Sequence, residues 1–113
     1  MNNDKEFCEY VVYDLLGNMS DIRFRRMFGA YGLYQAELFF GIIEEGELYL
    51  KVDDSNRADY EALESHPFIY MKEGKEASLS FWSVPADVLE DRVRLEEWVE
   101  KSIDVARSKK KKK

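Results

Sequence analysis

Two apolar runs around a glycine turn constrain this chain most. Residues 38–43 read LFFGII and residues 48–52 read LYLKV, with Glu45-Gly46 between them. Glycine supplies the positive φ of a tight hairpin turn, so the spacing predicts two antiparallel strands. A two-residue loop sets Glu44 opposite Glu47 and Ile43 opposite Leu48. Alternation then places Phe39, Gly41, Ile43, Leu48, Leu50 and Val52 on one face, read as the core side. Leu38, Phe40, Ile42, Tyr49 and Lys51 fall on the other. One further residue in the loop would exchange the two faces.

The flanking segments supply the rest of an α+β domain. Phe7, Cys8, Val11, Val12, Leu15 and Leu16 form one apolar stripe at helical spacing, with Asp4 placed to cap its start and Gly17 to end it. Residues 21–29 (DIRFRRMFG) predict a strand with Ile22, Phe24, Arg26 and Phe28 on one parity and Arg23, Arg25 and Met27 on the other. Ala30-Tyr31-Gly32 then reads as a turn. Ser55 is placed to cap a second helix that runs to about Glu64 and is stopped by Pro67. Residues 68–72 and 78–84 predict a second hairpin across Gly74-Lys75, with Phe68, Tyr70, Leu79 and Phe81 on one face and Ile69, Met71 and Trp82 on the other. A long helix follows Pro85, with Asp87, Glu90 and Asp91 in its first turn and Leu89, Val93, Leu95, Val99 and Ile103 along one side.

The expected order is α-β-β-β-α-β-β-α, and short connections between consecutive strands make the sheet antiparallel. Helices packed on one face leave the other partly open. That open face is expected to carry an apolar patch of Phe40, Ile42, Tyr49, Met71 and Trp82, more than scattered exposed side chains. Such a face can take a protein partner or pair with its own copy as a homodimer.

Charge divides the chain into a body and a tail. Arg107 and Lys109–Lys113 hold six of the 17 basic residues, whereas all 23 acidic residues precede them. Residues 1–106 therefore form an acidic domain of net charge −12, which repels a phosphate backbone. Residues 107–113 read as a basic, unstructured tail, able to touch nucleic acid weakly through Lys109–Lys113. With 113 residues the chain fits one domain, and its seven Tyr, seven Phe and two Trp supply a core. A lone cysteine, no signal segment and no membrane-length apolar run point to the cytoplasm.

The residues of chemistry are few. The one histidine, His66, and the one cysteine, Cys8, stand 58 positions apart. They supply no set of metal ligands and no nucleophile-base pair. No phosphate-binding glycine motif occurs: Gly29-Ala30-Tyr31-Gly32 is too sparse and Gly74-Lys75 is a turn. No enzyme activity, metal or cofactor is expected. Two segments are instead richer than a scaffold requires. Arg25, Arg26, Met27, Phe28, Tyr31 and Tyr34 gather residue types favoured at protein interfaces. Lys51, Asn56 and Arg57 surround a strand-to-helix junction, and Arg26, Lys51 and Arg57 together could meet a small anionic ligand.

These same segments resemble a known family. RRMFGAYGLY, FFGIIEEGELYLKVDDSNR, HPFIYMKEGKEASLSFWSVPADVLED and a Trp in the last helix, spanning about residues 22–100, are similar to the N-terminal domain of TfoX/Sxy proteins. The resemblance implies a two-layer α/β fold with an antiparallel five-stranded sheet. It also implies a link to the regulation of natural-competence genes, in which a full-length protein assists a cyclic-AMP-dependent transcription activator. Full-length regulators add a helical C-terminal domain where this sequence has its lysine tail. The leading expectation is a protein-interaction module, a transcription co-regulator. Nucleic-acid association through the tail, and a small anionic-ligand binder or enzyme, are the alternatives.

Overall fold

The computed structural model describes residues 4–27 and 29–111, with the side chains of all of these except 70–72, 75–79, 110 and 111. Its strands are β1 (Ile22–Met27), β2 (Ala30–Gln35), β3 (Leu38–Glu44), β4 (Glu47–Lys51), β5 (Pro67–Lys72) and β6 (Lys75–Ser83). They form one antiparallel sheet in the order β1-β2-β3-β4-β6-β5. The first helix, α1 (Asp4–Glu9), runs into a π-helical segment, Tyr10–Leu15, closed by the Leu16 N–H on the Val11 carbonyl. α2 (Arg57–Ala62), α3 (Ala86–Leu89) and α4 (Arg92–Lys111) complete the order.

The α+β class and the antiparallel sheet are as expected, but the sheet has six strands, not five. The extra strand is β2. Met27 sits opposite Ala30 across a turn containing Gly29, whose φ is +80°, so the segment read as a turn is already strand. Gly32 serves packing here: a Cβ on it would come within 2.9 Å of the Met27 sulfur and 3.1 Å of the Phe39 ring.

The central hairpin has the expected register, Ile43 opposite Leu48 and Glu44 opposite Glu47. Glu45 and Gly46 both adopt positive φ, 51° and 80°, as a type I′ turn requires. Asp4 was expected to cap its own helix. Its buried carboxylate instead accepts the Glu45 and Gly46 N–H groups, each at 2.9 Å, and ties the first helix to this turn.

A β-bulge corrects the assignment of faces upstream in β3. Leu33 faces Gly41 while Tyr34 faces Phe39, so Phe40 is an additional residue. Phe40 therefore points into the helix-covered core, and Phe39 points to the opposite face. Trp82 is corrected likewise. It lies opposite Leu50 on the core side, with Phe81 opposite Lys51 on the other. The second hairpin turns at Glu73-Gly74, one residue earlier than expected, with Lys72 opposite Lys75.

All four helices contribute buried residues to one core, which we call the inner side of the sheet: Cys8, Val11 and Leu16 with Tyr60, Val88, Leu95 and Trp98. The Tyr60 and Trp98 rings lie 4.4 Å apart at its centre. The long C-terminal helix expected after Pro85 is interrupted at Glu90-Asp91, and the Asp91 carboxylate receives the Arg94 N–H at 3.2 Å at the start of α4. α4 then continues to Lys111, so residues 107–111 prolong the helix. Among the described residues, no helix is long and apolar enough to cross a membrane.

A candidate docking surface on the outer sheet face

The second side of the sheet, the outer face, carries a smaller cluster drawn only from strands: Ala30, Ile42, Phe68 and Phe81, flanked by Phe39 and Tyr49. It follows from strand parity. In β1 and β2, Arg23, Arg25, Met27, Gly32 and Tyr34 alternate onto it, whereas Phe24, Tyr31 and Leu33 face the inner core. In β4 and β6, Tyr49, Lys51 and Phe81 alternate onto it.

The expected open patch is thus different in membership and in exposure. Phe40 and Trp82 belong to the inner side, and Met71 lies outside the residues whose side chains are described. Ile42 is on the outer face but only 2% exposed, and Tyr49 is half-buried. Aromatic rings shelter this face by leaning on one another: Phe39 on Phe81 at 5.1 Å and Tyr49 on Phe68 at 5.0 Å between centroids.

A row of alternating cations and rings crosses the face. The Arg25 guanidinium lies 5.2 Å from the Tyr34 ring centroid. Tyr34 stacks on Phe39 at 5.1 Å and 24°, and Phe39 meets Phe81. The Lys51 ammonium lies 4.8 Å from the Phe81 centroid and 5.7 Å from that of Phe39. Each cation is held by the negative ring face. Burial lowers the Lys51 pKa, and the positive charge of Lys109 lowers it further. Met27 completes the row, its sulfur accepting the Tyr34 hydroxyl at 4.0 Å.

The structure divides the residues expected to act together. Arg25, Met27, Tyr34 and Lys51 share the outer face. Arg26 and Tyr31 lie on the inner side, where Tyr31 meets Phe24 edge-on at 5.9 Å, and Phe28 lies outside the described residues. Asn56 is buried structure: its Oδ1 accepts the Asp53 N–H at 2.9 Å and its Nδ2 donates to the Lys51 carbonyl at 3.1 Å. Ser55 caps nothing and gives its N–H and hydroxyl to Asp53 Oδ1. Arg57 pairs with Asp54 at 3.0 Å.

Arg26, Lys51 and Arg57 do not converge on an anion site. Arg26 is on β1, three strands or roughly 14 Å from β4, and on the opposite face from Lys51. Sequence reasoning missed Phe39 and Phe81, the rings that link Tyr34 to Lys51: the bulge at Phe40 leaves no trace in a continuous apolar run, and Phe81 reaches this face only through the long-range register of β4 with β6. Among the described residues, no group of three or more His, Cys, Asp or Glu could hold a metal ion.

Beside the row, Arg23, Phe24, Arg25, Tyr34, Ala36 and Glu37 line a groove of about 340 Å³ along β1. Arg23 is anchored there by donating to the Ala36 carbonyl at 2.6 Å.

Comparison with known proteins adds two findings. The family model described as the TfoX N-terminal domain matches residues 14–106, a span that contains every residue of the row. Protein Sxy of Escherichia coli (strain K12) is 27% identical over 100 residues, covering 86% of this chain and 46% of that protein. The chain thus spans about half the length of the curated relative it matches.

Proposed function

The chain belongs to the TfoX N-terminal domain family, and from that premise we propose that it is a protein-interaction module, a transcription co-regulator tied to competence-type gene control. The observation that carries this reading is the cation-aromatic row on the outer face, Arg25-Tyr34-Phe39-Lys51-Phe81. Arginine and tyrosine are the residues on which protein interfaces concentrate binding energy. Stacking has already fixed their geometry, so little side-chain entropy remains to be lost on docking.

Two features favour a protein over a nucleic acid on this face. The ring faces that could stack bases are occupied by Arg25 and Lys51. The domain around them is strongly acidic, which opposes the dense, continuous charge of a phosphate backbone far more than it opposes widely spaced carboxylates. The competence link comes with the family, and the role is one of binding without catalysis.

Affinity capture from native lysate, with and without nuclease, tests the reading. Wild-type chain is compared with the Arg25→Ala/Lys51→Ala variant. A protein that survives nuclease and is lost with the variant is expected. An unchanged partner list with the folded variant, or partners that vanish with nuclease, would refute the role.

A further inference from the structure

Resting on the protein-binding reading, we infer that β1 is a strand-addition site for an extended segment that carries acidic residues at alternate positions. β1 is an edge strand of the sheet, paired on one side by β2. At the start of this strand pair the Ala36 N–H donates to the Asp21 carbonyl at 3.3 Å, and the antiparallel pattern alternates from there along the register that runs from Ile22 opposite Gln35 to Met27 opposite Ala30. The backbone groups of Met27, Arg25 and Arg23 are therefore directed to β2, and those of Arg26, Phe24 and Ile22 to the free edge. An incoming strand is offered a row of donors and acceptors.

Side chains along this edge define the chemistry of the occupant. Arg23 and Arg25 project on the outer face and line the groove, Glu37 being the one acidic residue in it. On the inner side, Phe24 packs edge-on against Tyr13, which is 65% exposed. An added strand would thus place every second side chain beside the Arg23 and Arg25 guanidinium groups and the intervening ones beside Ile22, Phe24 and Tyr13, with Arg26 met only at the turn end of the strand. Carboxylates suit the first set and apolar groups the second.

The same charges disfavour a second copy of this chain. Antiparallel β1-to-β1 pairing would set the Arg23 and Arg25 guanidinium groups against their own counterparts, and like charges directly opposite are destabilising. The occupant is a different chain, acidic and apolar by turns.

A displayed library of random eight-residue peptides, selected against the full chain, reads the preference directly. Enrichment of Asp and Glu at alternate positions with apolar residues between them is expected. The Arg23→Glu/Arg25→Glu variant should bind the selected peptides roughly tenfold more weakly or worse and should itself select Lys and Arg at those positions. A selected peptide should slow amide exchange at Phe24 and Arg26 and leave Arg25 unchanged. Several results would overturn strand addition: no enrichment, acidic residues without alternation, no slowing at Phe24 and Arg26, a doubled solution mass in place of peptide binding, or selected peptides displaced by a single-stranded oligonucleotide. If strand addition is overturned in this way while the Arg25-dependent protein partner persists, docking stands and only its mode is wrong.

Discussion

Arg25 lies over the ring of Tyr34, its guanidinium carbon 5.2 Å from the ring centroid, with the two residues on adjacent strands of the outer face. The contact is exposed on the arginine side, so its value to the fold is about 0.5–1 kcal/mol. Arg25→Ala with Arg26→Ala should therefore unfold within about 2 kcal/mol of wild type while binding its partner at least roughly tenfold more weakly. Urea unfolding and a binding titration on the same preparations check both halves.

Lys51 is a half-buried ammonium held above Phe39 and Phe81, and burial works against its charge. Lys51→Met keeps the stem's packing and removes the cost of sheltering the charge. Its stability should equal wild type or exceed it by up to about 1 kcal/mol, whereas partner binding should fall. Thermal melts alongside the binding assay would show this opposition of stability and function.

Asp4 joins the first helix to the β3-β4 turn through two charge-assisted hydrogen bonds. Asp4→Ala leaves two turn N–H groups without that acceptor and should cost about 2–3 kcal/mol. Amide exchange should accelerate at Glu45 and Gly46 before the rest of the sheet. A loss under about 0.5 kcal/mol would show that water replaces the carboxylate.

The Cys8 thiol is pushed up to about 12, by burial first and then by the charges of Asp4 and Glu9. The Tyr49 hydroxyl is pushed up to about 12, by burial first and then by Glu47. Both groups bind their protons more tightly folded than unfolded. Their contribution is whole below about pH 9 and is lost as pH rises towards 12. Denaturant midpoints at pH 7, 9, 10 and 11 should decline above pH 9, and Cys8→Ala should flatten the first part of that decline. At pH 8, iodoacetamide should leave Cys8 unmodified until denaturant is added.

The fold was legible where a short turn fixed the register. Glu45-Gly46 is a two-residue loop with both residues at positive φ, and everything from Ile43 to Leu50 follows from it by alternation. Legibility ended where local pattern carries no information. LFFGII is apolar throughout, so no alternation marks the bulge that exchanges Phe39 and Phe40. Gly32 looked like a turn residue because small size and backbone freedom are written with the same letter. Here it makes room for Met27 and Phe39. Arg25, Tyr34 and Lys51 were recognisable as interface residue types. Their connection through Phe39 and Phe81 depends on pairings among β2, β3, β4 and β6, which are long-range.

Arg25 and Arg26 offer the most direct test, because neighbouring residues of the same charge lie on opposite faces of β1. Arg25→Glu and Arg26→Glu change the net charge equally, so any general electrostatic effect is shared. The two variants are titrated against the captured partner at one ionic strength. If the outer face is the docking surface, Arg25→Glu loses roughly tenfold or more in affinity while Arg26→Glu stays within about twofold of wild type. Equal losses, or the greater loss at Arg26, would contradict it.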